Sequence, residues 1–256
     1  MVAISETVVP RAALITGAAR RIGAAIAIAL SRAGYAVVLH ANHSREEAEG
    51  IAAEIERDGG RAAVVLGDLA DAGAVAAIVP AAAAFGTLTL LVNNASLFDE
   101  DDIASMTREG FERTLAVNLT APLFLAQAFA AQAPRNAGSS IVNIVDQRVL
   151  RPTPKFFSYA LSKSALHDAT TTLAQGLAPL RVNAVAPGPT LPSPRQNGDQ
   201  FAEQAALVPL GKGPSPQDIA AAVVYLASAQ SVTGMTIAVD GGQHLSWRTP
   251  DADITE

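Results

Sequence analysis

Seven short apolar runs recur along this chain, each separated from the next by a longer stretch. They are Ala12–Thr16, Tyr35–His40, Ala62–Leu66, Leu88–Val92, Ser140–Val145, Arg181–Val185 and Thr236–Val239. They are rich in Val, Ile and Leu without strict polar–apolar alternation, the pattern of strands covered on both faces. Helical periodicity fills gaps between them, over Ile22–Ala33, Arg45–Asp58, Phe111–Ala131, Tyr159–Leu177 and Pro216–Ala227. Strand–helix–strand repetition joins parallel strands through right-handed crossovers. The expectation is one α/β doubly wound domain, with a mainly seven-stranded parallel sheet and helices on both faces. A length of 256 residues suits one such domain over 1–256 better than two. No internal repeat or low-complexity linker divides it.

Composition removes several function classes. Half of the residues are hydrophobic, the net charge is −6 and no basic run exists, which argues against nucleic-acid and anionic-membrane partners. The absence of cysteine excludes disulfides and thiol catalysis. Met1–Pro10 has neither the basic start nor the apolar length of a signal peptide. The uncharged stretch between Asp71 and Asp99 imitates a membrane span. Pro80 interrupts it, however, and Phe85-Gly86-Thr87 supplies a turn, so it reads as a broken, buried helix followed by a central strand. A soluble, cytoplasmic chain is expected.

The segment from Pro187 to Pro216 is dense in Pro, Gly and Ser, with only Phe201–Val208 helical in pattern. It follows a predicted strand, so it falls at the carboxyl edge of the sheet, where doubly wound folds bind ligands. A loop of this length in a compact domain reads as a substrate lid over 187–216.

Leu14-Ile15-Thr16-Gly17-Ala18-Ala19-Arg20-Arg21-Ile22-Gly23 runs from the first strand into the first helix. Gly17 permits a tight turn, and Gly23 lets helix and strand approach. Free N–H groups at the helix start then face a pyrophosphate. At the first junction of a Rossmann-type sheet this makes a dinucleotide site of Gly17, Arg20, Arg21, Ile22 and Gly23. Arg21 stands where a middle glycine is commonest and brings a guanidinium to the phosphates or the substrate mouth. An NAD enzyme usually ends its second strand with an acid that holds the ribose hydroxyls. Here the chain reads Leu39-His40-Ala41-Asn42-His43-Ser44-Arg45, with no acid before Glu46. His43, Ser44 and Arg20 suit a 2′-phosphate instead, so NADPH is the expected cofactor. Asp68 and Leu69 after the third strand reach the adenine edge, and Asn94 and Ala95 after the fourth line the ribose. Four histidines without a carboxylate cluster suggest no metal site.

Tyr159 and Lys163 share a helix face at i,i+4 spacing, and Asp146 lies thirteen residues before the tyrosine. A neighbouring ammonium favours phenolate and tunes the phenol toward neutral pH, whereas a neighbouring carboxylate opposes it. The three are expected to titrate as a coupled set.

From Leu14 to Leu245 the chain resembles the short-chain dehydrogenase/reductase superfamily. The matching pieces are the Thr16–Gly23 turn, Asn93-Asn94-Ala95, Asn118, Tyr159-x-x-x-Lys163, Pro187-Gly188 and Asp240-Gly241-Gly242. Within it the chain is most similar to the pteridine reductases, through Arg21, the Asn94-Ala95-Ser96-Leu97-Phe98 segment, the His40–Ser44 stretch, and Asp146 in place of a serine. The resemblance implies a reductase of a dihydropterin, with dihydrofolate a further candidate. Hydride would come from NADPH and a proton through Tyr159, with Lys163 also on the nicotinamide ribose. It implies that Asn118 holds a water that links Lys163 to solvent, and that Pro187 and Gly188 border the cofactor. Arg21, Ser96, Phe98, Asp146 and Tyr159 would bind substrate, with Phe98 stacked on a flat pterin and Asp146 paired with ring nitrogens. A homotetramer is the implied assembly. Two alternatives stay open: a carbonyl or alcohol substrate within the same superfamily, and a non-catalytic NADPH-binding sensor.

Overall fold

The computed structural model describes residues 11–135, 138–193 and 195–247; the Met1–Pro10 stretch read for a signal peptide lies outside them. Its centre is a seven-stranded, all-parallel sheet in the order β3-β2-β1-β4-β5-β6-β7. The strands are β1 (Arg11–Ile15), β2 (Ala36–Ala41), β3 (Ala62–Leu66), β4 (Thr87–Asn93), β5 (Ser140–Ile144), β6 (Arg181–Pro187) and β7 (Thr236–Val239). Strand order reverses between β1 and β4, which opens a crevice beyond their carboxyl ends.

Both faces of the sheet are covered, as the near-continuous apolar runs require. Leu14, Val38, Leu91, Ile141 and Val182 pack under α3 (Ala72–Ala83) and α5 (Ala121–Gln132). Their strand neighbours Ile15, Val37, Val92, Val142 and Val185 pack against α1 (Arg21–Arg32) and α8 (Pro216–Ser228) on the opposite side. The period of two along each strand thus feeds two separate cores. The remaining helices are α2 (Arg45–Arg57), α4 (Arg108–Leu115), α6 (Phe157–Gly176) and α7 (Gly198–Ala206).

Three elements depart from the sequence reading. Helix α3 is not broken: Pro80 lies inside its last turn on the exposed side, where it removes one N–H from the ladder. Val75, Ile78, Val79 and Ala82 on its other face hold it to the sheet, so it is half-buried rather than buried. Next, the helical run expected over Phe111–Ala131 starts earlier, at Arg108, and contains a π-helical segment at Ala116–Thr120 between α4 and α5. The lid, lastly, carries α7 ahead of the expected position, because Asn197 and Gln200 form a reciprocal capping box at its start. No side chain of α7 is buried. Val208, just beyond it, is buried against Gly241, where any Cβ would meet the valine side chain at 2.6 Å.

Candidate active site

The glycine turn is held to the fourth strand by side chains as well as by ladder bonds. Thr16 Oγ1 accepts the backbone N–H groups of Asn94 at 2.9 Å and Ala95 at 3.0 Å. Asn94 Nδ2 in return donates to the carbonyls of Thr16 at 2.9 Å and Gly17 at 3.1 Å. Gly17 has φ of +64°, a left-handed conformation that glycine adopts freely. A Cβ on Gly23 would run into the Gly17 carbonyl oxygen and lie 2.6 Å from Asn94 Nδ2. Arg21 keeps a left-handed backbone, φ +56°, without being glycine.

Helix α1 begins with no capping side chain and no acid in its first turn. Helices α3, α4, α7 and α8 are capped by Asp71, Thr107, Asn197 and Ser215. The uncapped N–H donors of α1 therefore remain available to an anion. Helix α2 likewise starts at Ser44 without a side-chain cap. Both starts open on one cavity of about 540 Å³. Its walls include Gly17, Arg20, Arg21, Ile22, Gly23, His40, His43, Ser44, Asp68, Leu69, Asn94 and Ala95 from the expected cofactor set. Ser96, Phe98 and Tyr159 from the expected substrate set line it as well.

Several expected roles change with the geometry. His40 is 2 % exposed, and both ring nitrogens are engaged: Nε2 lies 3.0 Å from the Gly67 carbonyl, and Nδ1 accepts from Gly17 N–H at 3.3 Å. Burial lowers its pKa, so it is a neutral strut under the turn rather than a phosphate donor. Arg20 faces Glu47 at 3.7 Å. Arg21 lines the cavity and donates to the lid, to Pro192 O at 2.9 Å and Leu191 O at 3.4 Å. Asp68 Oδ1 accepts from Ala70 N–H at 2.9 Å, and its Oδ2 lies 3.6 Å from Arg113. Pro187 and Gly188 do not line the cavity; Gly188 packs on Asp240, whose Cα would be 2.6 Å from an added Cβ.

Asn118 lies in the π-helical segment, fully buried. Its Oδ1 accepts from Leu97 N–H at 2.8 Å, and its Nδ2 donates to Leu97 O at 2.9 Å and Ser162 Oγ at 3.1 Å. It thus ties the segment before Phe98 to the helix that carries Tyr159. That helix is anchored at its start by Asp101, which accepts from Ser158 N–H at 3.1 Å and from the Ser158 hydroxyl.

Tyr159 Oη donates to Asp146 Oδ2 at 2.8 Å. Burial raises the phenol pKa well above its ordinary value, and the Asp146 charge and hydrogen bond raise it further. This corrects the expectation of a phenol tuned down by lysine. Lys163 Nζ donates to the Ile144 carbonyl at 2.8 Å and lies 5.9 Å from the phenol ring centre. Burial lowers the Lys163 ammonium to about 8, with Asp146 partly opposing the drop.

Asp146 is not a wall of the cavity. Oδ1 accepts the backbone N–H of Arg148 at 2.8 Å, and Oδ2 takes Tyr159 together with Arg148 Nη1 at 3.2 Å. Its protein partners are thus Tyr159 and Arg148. Phe98 meets Tyr159 edge-on, with centroids 4.6 Å apart, and stacks on Phe156 at 4.4 Å. Arg195, from the lid, donates to Phe98 O at 2.8 Å and lies 5.2 Å from its ring centre; Arg148, Phe156 and Arg195 all escaped the sequence reading. Only Arg148 had a usable signal there, a cation two residues after the carboxylate.

A family model described as enoyl-(acyl carrier protein) reductase matches residues 17–244. An oxidoreductase of Methylorubrum extorquens is 37% identical over 91% of this chain and 97% of its own. The chain belongs to the short-chain dehydrogenase/reductase family. Among short-chain dehydrogenase/reductases, L-rhamnose 1-dehydrogenase (NAD(P)(+)) of a Sphingomonas species is 35% identical, over 91% of this chain and 96% of that one. The solved structure of FolM alternative dihydrofolate reductase 1 from Brucella canis, complexed with NADP, is 47% identical with a TM-score of 0.91. That alignment covers 94% of this chain and 97% of the Brucella one. The seven-stranded parallel sheet is the family's, and the chain is an oxidoreductase.

Proposed function

We propose that this short-chain reductase uses NADPH to reduce a C=N bond of a dihydropterin. The single observation that carries the reading is the Tyr159–Asp146 hydrogen bond at the cavity edge, beside Phe98. The uncapped start of α1 and the absence of an acid from Ala41 to Ser44 suit a 2′-phosphorylated dinucleotide. The NADP-bound Brucella protein, a named dihydrofolate reductase, supports the same cofactor and substrate class.

When bound, NADPH supplies the hydride. Tyr159, kept as phenol by burial and by Asp146, is a poor base for alcohol oxidation and a ready store of one proton for reduction. Its hydroxyl, now donated to Asp146, would be redirected to give that proton to the ring nitrogen. The nitrogen that develops is far more basic than phenolate, so even a weakly acidic phenol delivers its proton downhill. Phe98 supplies an aromatic wall for the flat ring. Lys163, one turn along the same helix face, gives one N–H to Ile144 O and keeps two further donors that suit the cofactor ribose.

A carbonyl or alcohol substrate is the second reading, and relatives such as the L-rhamnose dehydrogenase favour it. NADPH consumption across a panel of reduced and oxidised pterins, ketones and sugars separates the two. Turnover of pterins alone fits the proposal; turnover of ketones or sugars without pterins overturns it. A homotetramer remains part of the proposal, supported by exposed Phe124 on α5 and Leu161 on α6, and is checked by light scattering.

A further inference from the structure

Asp146 creates an electrostatic difficulty in the reaction proposed above. Once Tyr159 has given up its proton, a phenolate would stand against a carboxylate 2.8 Å away. Like charges at that distance in a mostly buried site strongly oppose each other. Lys163 is the expected compensating cation, yet its ammonium is directed at Ile144 O.

Arg148 answers the difficulty. Its Nη1 is 3.2 Å from Asp146 Oδ2, the oxygen that accepts Tyr159, and 3.4 Å from Oδ1. Its own backbone N–H closes on Oδ1 at 2.8 Å, so one residue grips both carboxylate oxygens. The arginine and aspartate side chains are only 20% and 15% exposed, which makes this pair stronger than an ordinary surface bridge. Its guanidinium is 5.4 Å from the Phe98 ring centre and 5.3 Å from that of Phe156. Being almost equally distant from two stacked rings, it sits beside the stack.

We propose that Arg148 is the positioning residue of this active site: it fixes Asp146 on Tyr159 and neutralises the carboxylate when the phenol becomes anionic. The proton that leaves Tyr159 Oη goes to the substrate nitrogen, and the phenolate regains one from solvent before the next turnover. Asp146 stays gripped by Arg148 throughout and acts on the substrate only through Tyr159.

The test replaces Arg148 with Ala, Lys and Gln in the full chain. Arg148→Ala is expected to lower kcat for pterin reduction about 100-fold, the lower end of what a positioned acid contributes. NADPH affinity, read by fluorescence, stays at the wild-type value, as does KM. Added guanidinium ion restores part of kcat to Arg148→Ala, equal ionic strength of sodium chloride does not, and Arg148→Lys retains more activity than Arg148→Gln. Wild-type kcat in the alanine variant overturns the proposal. So does a loss that neither guanidinium nor lysine repairs, since that marks a merely structural arginine. If wild-type protein turns over no pterin, the substrate reading fails instead. The crystal structure of Arg148→Lys or Arg148→Gln beside wild type then decides: Asp146 leaving Tyr159 in the glutamine variant supports the role, and an unmoved pair sinks it.

Discussion

Tyr159 and Asp146 lie on different elements, thirteen residues apart, and are joined by one hydrogen bond of 2.8 Å from Oη to Oδ2. The same carboxylate caps the short 3-10 turn Gln147–Val149 through Arg148 N–H. One side chain thereby bears on both the loop conformation and the phenol, whose pKa burial raises first and Asp146 raises further.

Asp146→Ser removes that link. It is expected to lower kcat for pterin reduction by roughly 100-fold while leaving NADPH affinity unchanged. The phenol pKa falls toward its ordinary value, since Asp146 is one of the groups that raise it. Steady-state kinetics and cofactor titration check this; equal loss of both would refute the role.

Lys163→Met should produce an inactive but more stable protein. Burial of the ammonium lowers its pKa from 10.5 to about 8, which corresponds to about 3 kcal/mol of destabilisation at neutral pH. Between pH 8 and 10.5 the unfolded chain binds the extra proton, so wild-type stability rises with pH there. The methionine variant's advantage in denaturant midpoint should be full below pH 8 and shrink across that window. Loss of the bond to Ile144 O offsets part of the gain.

Arg21→Gly separates backbone strain from lid contact. The left-handed backbone costs a non-glycine residue about 1 kcal/mol, so the glycine variant is expected to gain about that much stability. It loses both bonds to the lid carbonyls. Limited proteolysis should cut near Leu191–Pro192 faster, and the substrate KM should rise.

Asn42→Asp tests the reading of the second strand's end. An acid there would hold ribose hydroxyls and repel a 2′-phosphate. The ratio of kcat/KM for NADPH over NADH is expected to fall at least about 10-fold, equivalent to about 1.4 kcal/mol. An unchanged ratio would place cofactor choice elsewhere.

The strands and the phosphate turn were legible because local pattern decides them. Val37, Leu39, Val142 and Val185 must be covered wherever they go, and Gly17 and Gly23 answer backbone crowding that any side chain would worsen. The polar centre was less legible. Spacing put Lys163 on the tyrosine's face but could not tell that its ammonium ends at Ile144 O. Phe156 stacks on Phe98 from a left-handed backbone, φ +56°, which no composition rule anticipates. The capping pair Asn197 and Gln200 was in plain view, and it would have set the start of α7 correctly.

The wide turn at Ala116–Thr120 has a consequence for how this site tolerates change. A regular helix advances about 100° per residue, so one surplus residue re-phases everything that follows it. Here the surplus lets Asn118 look inward at Leu97 and Ser162 while Leu125 and Phe129 still seat in the core. Deleting a single codon in that turn would leave a smoother helix with one of those two allegiances broken. The irregular winding is the device that lets one rod serve two masters, and point substitutions there are far safer than changes in length.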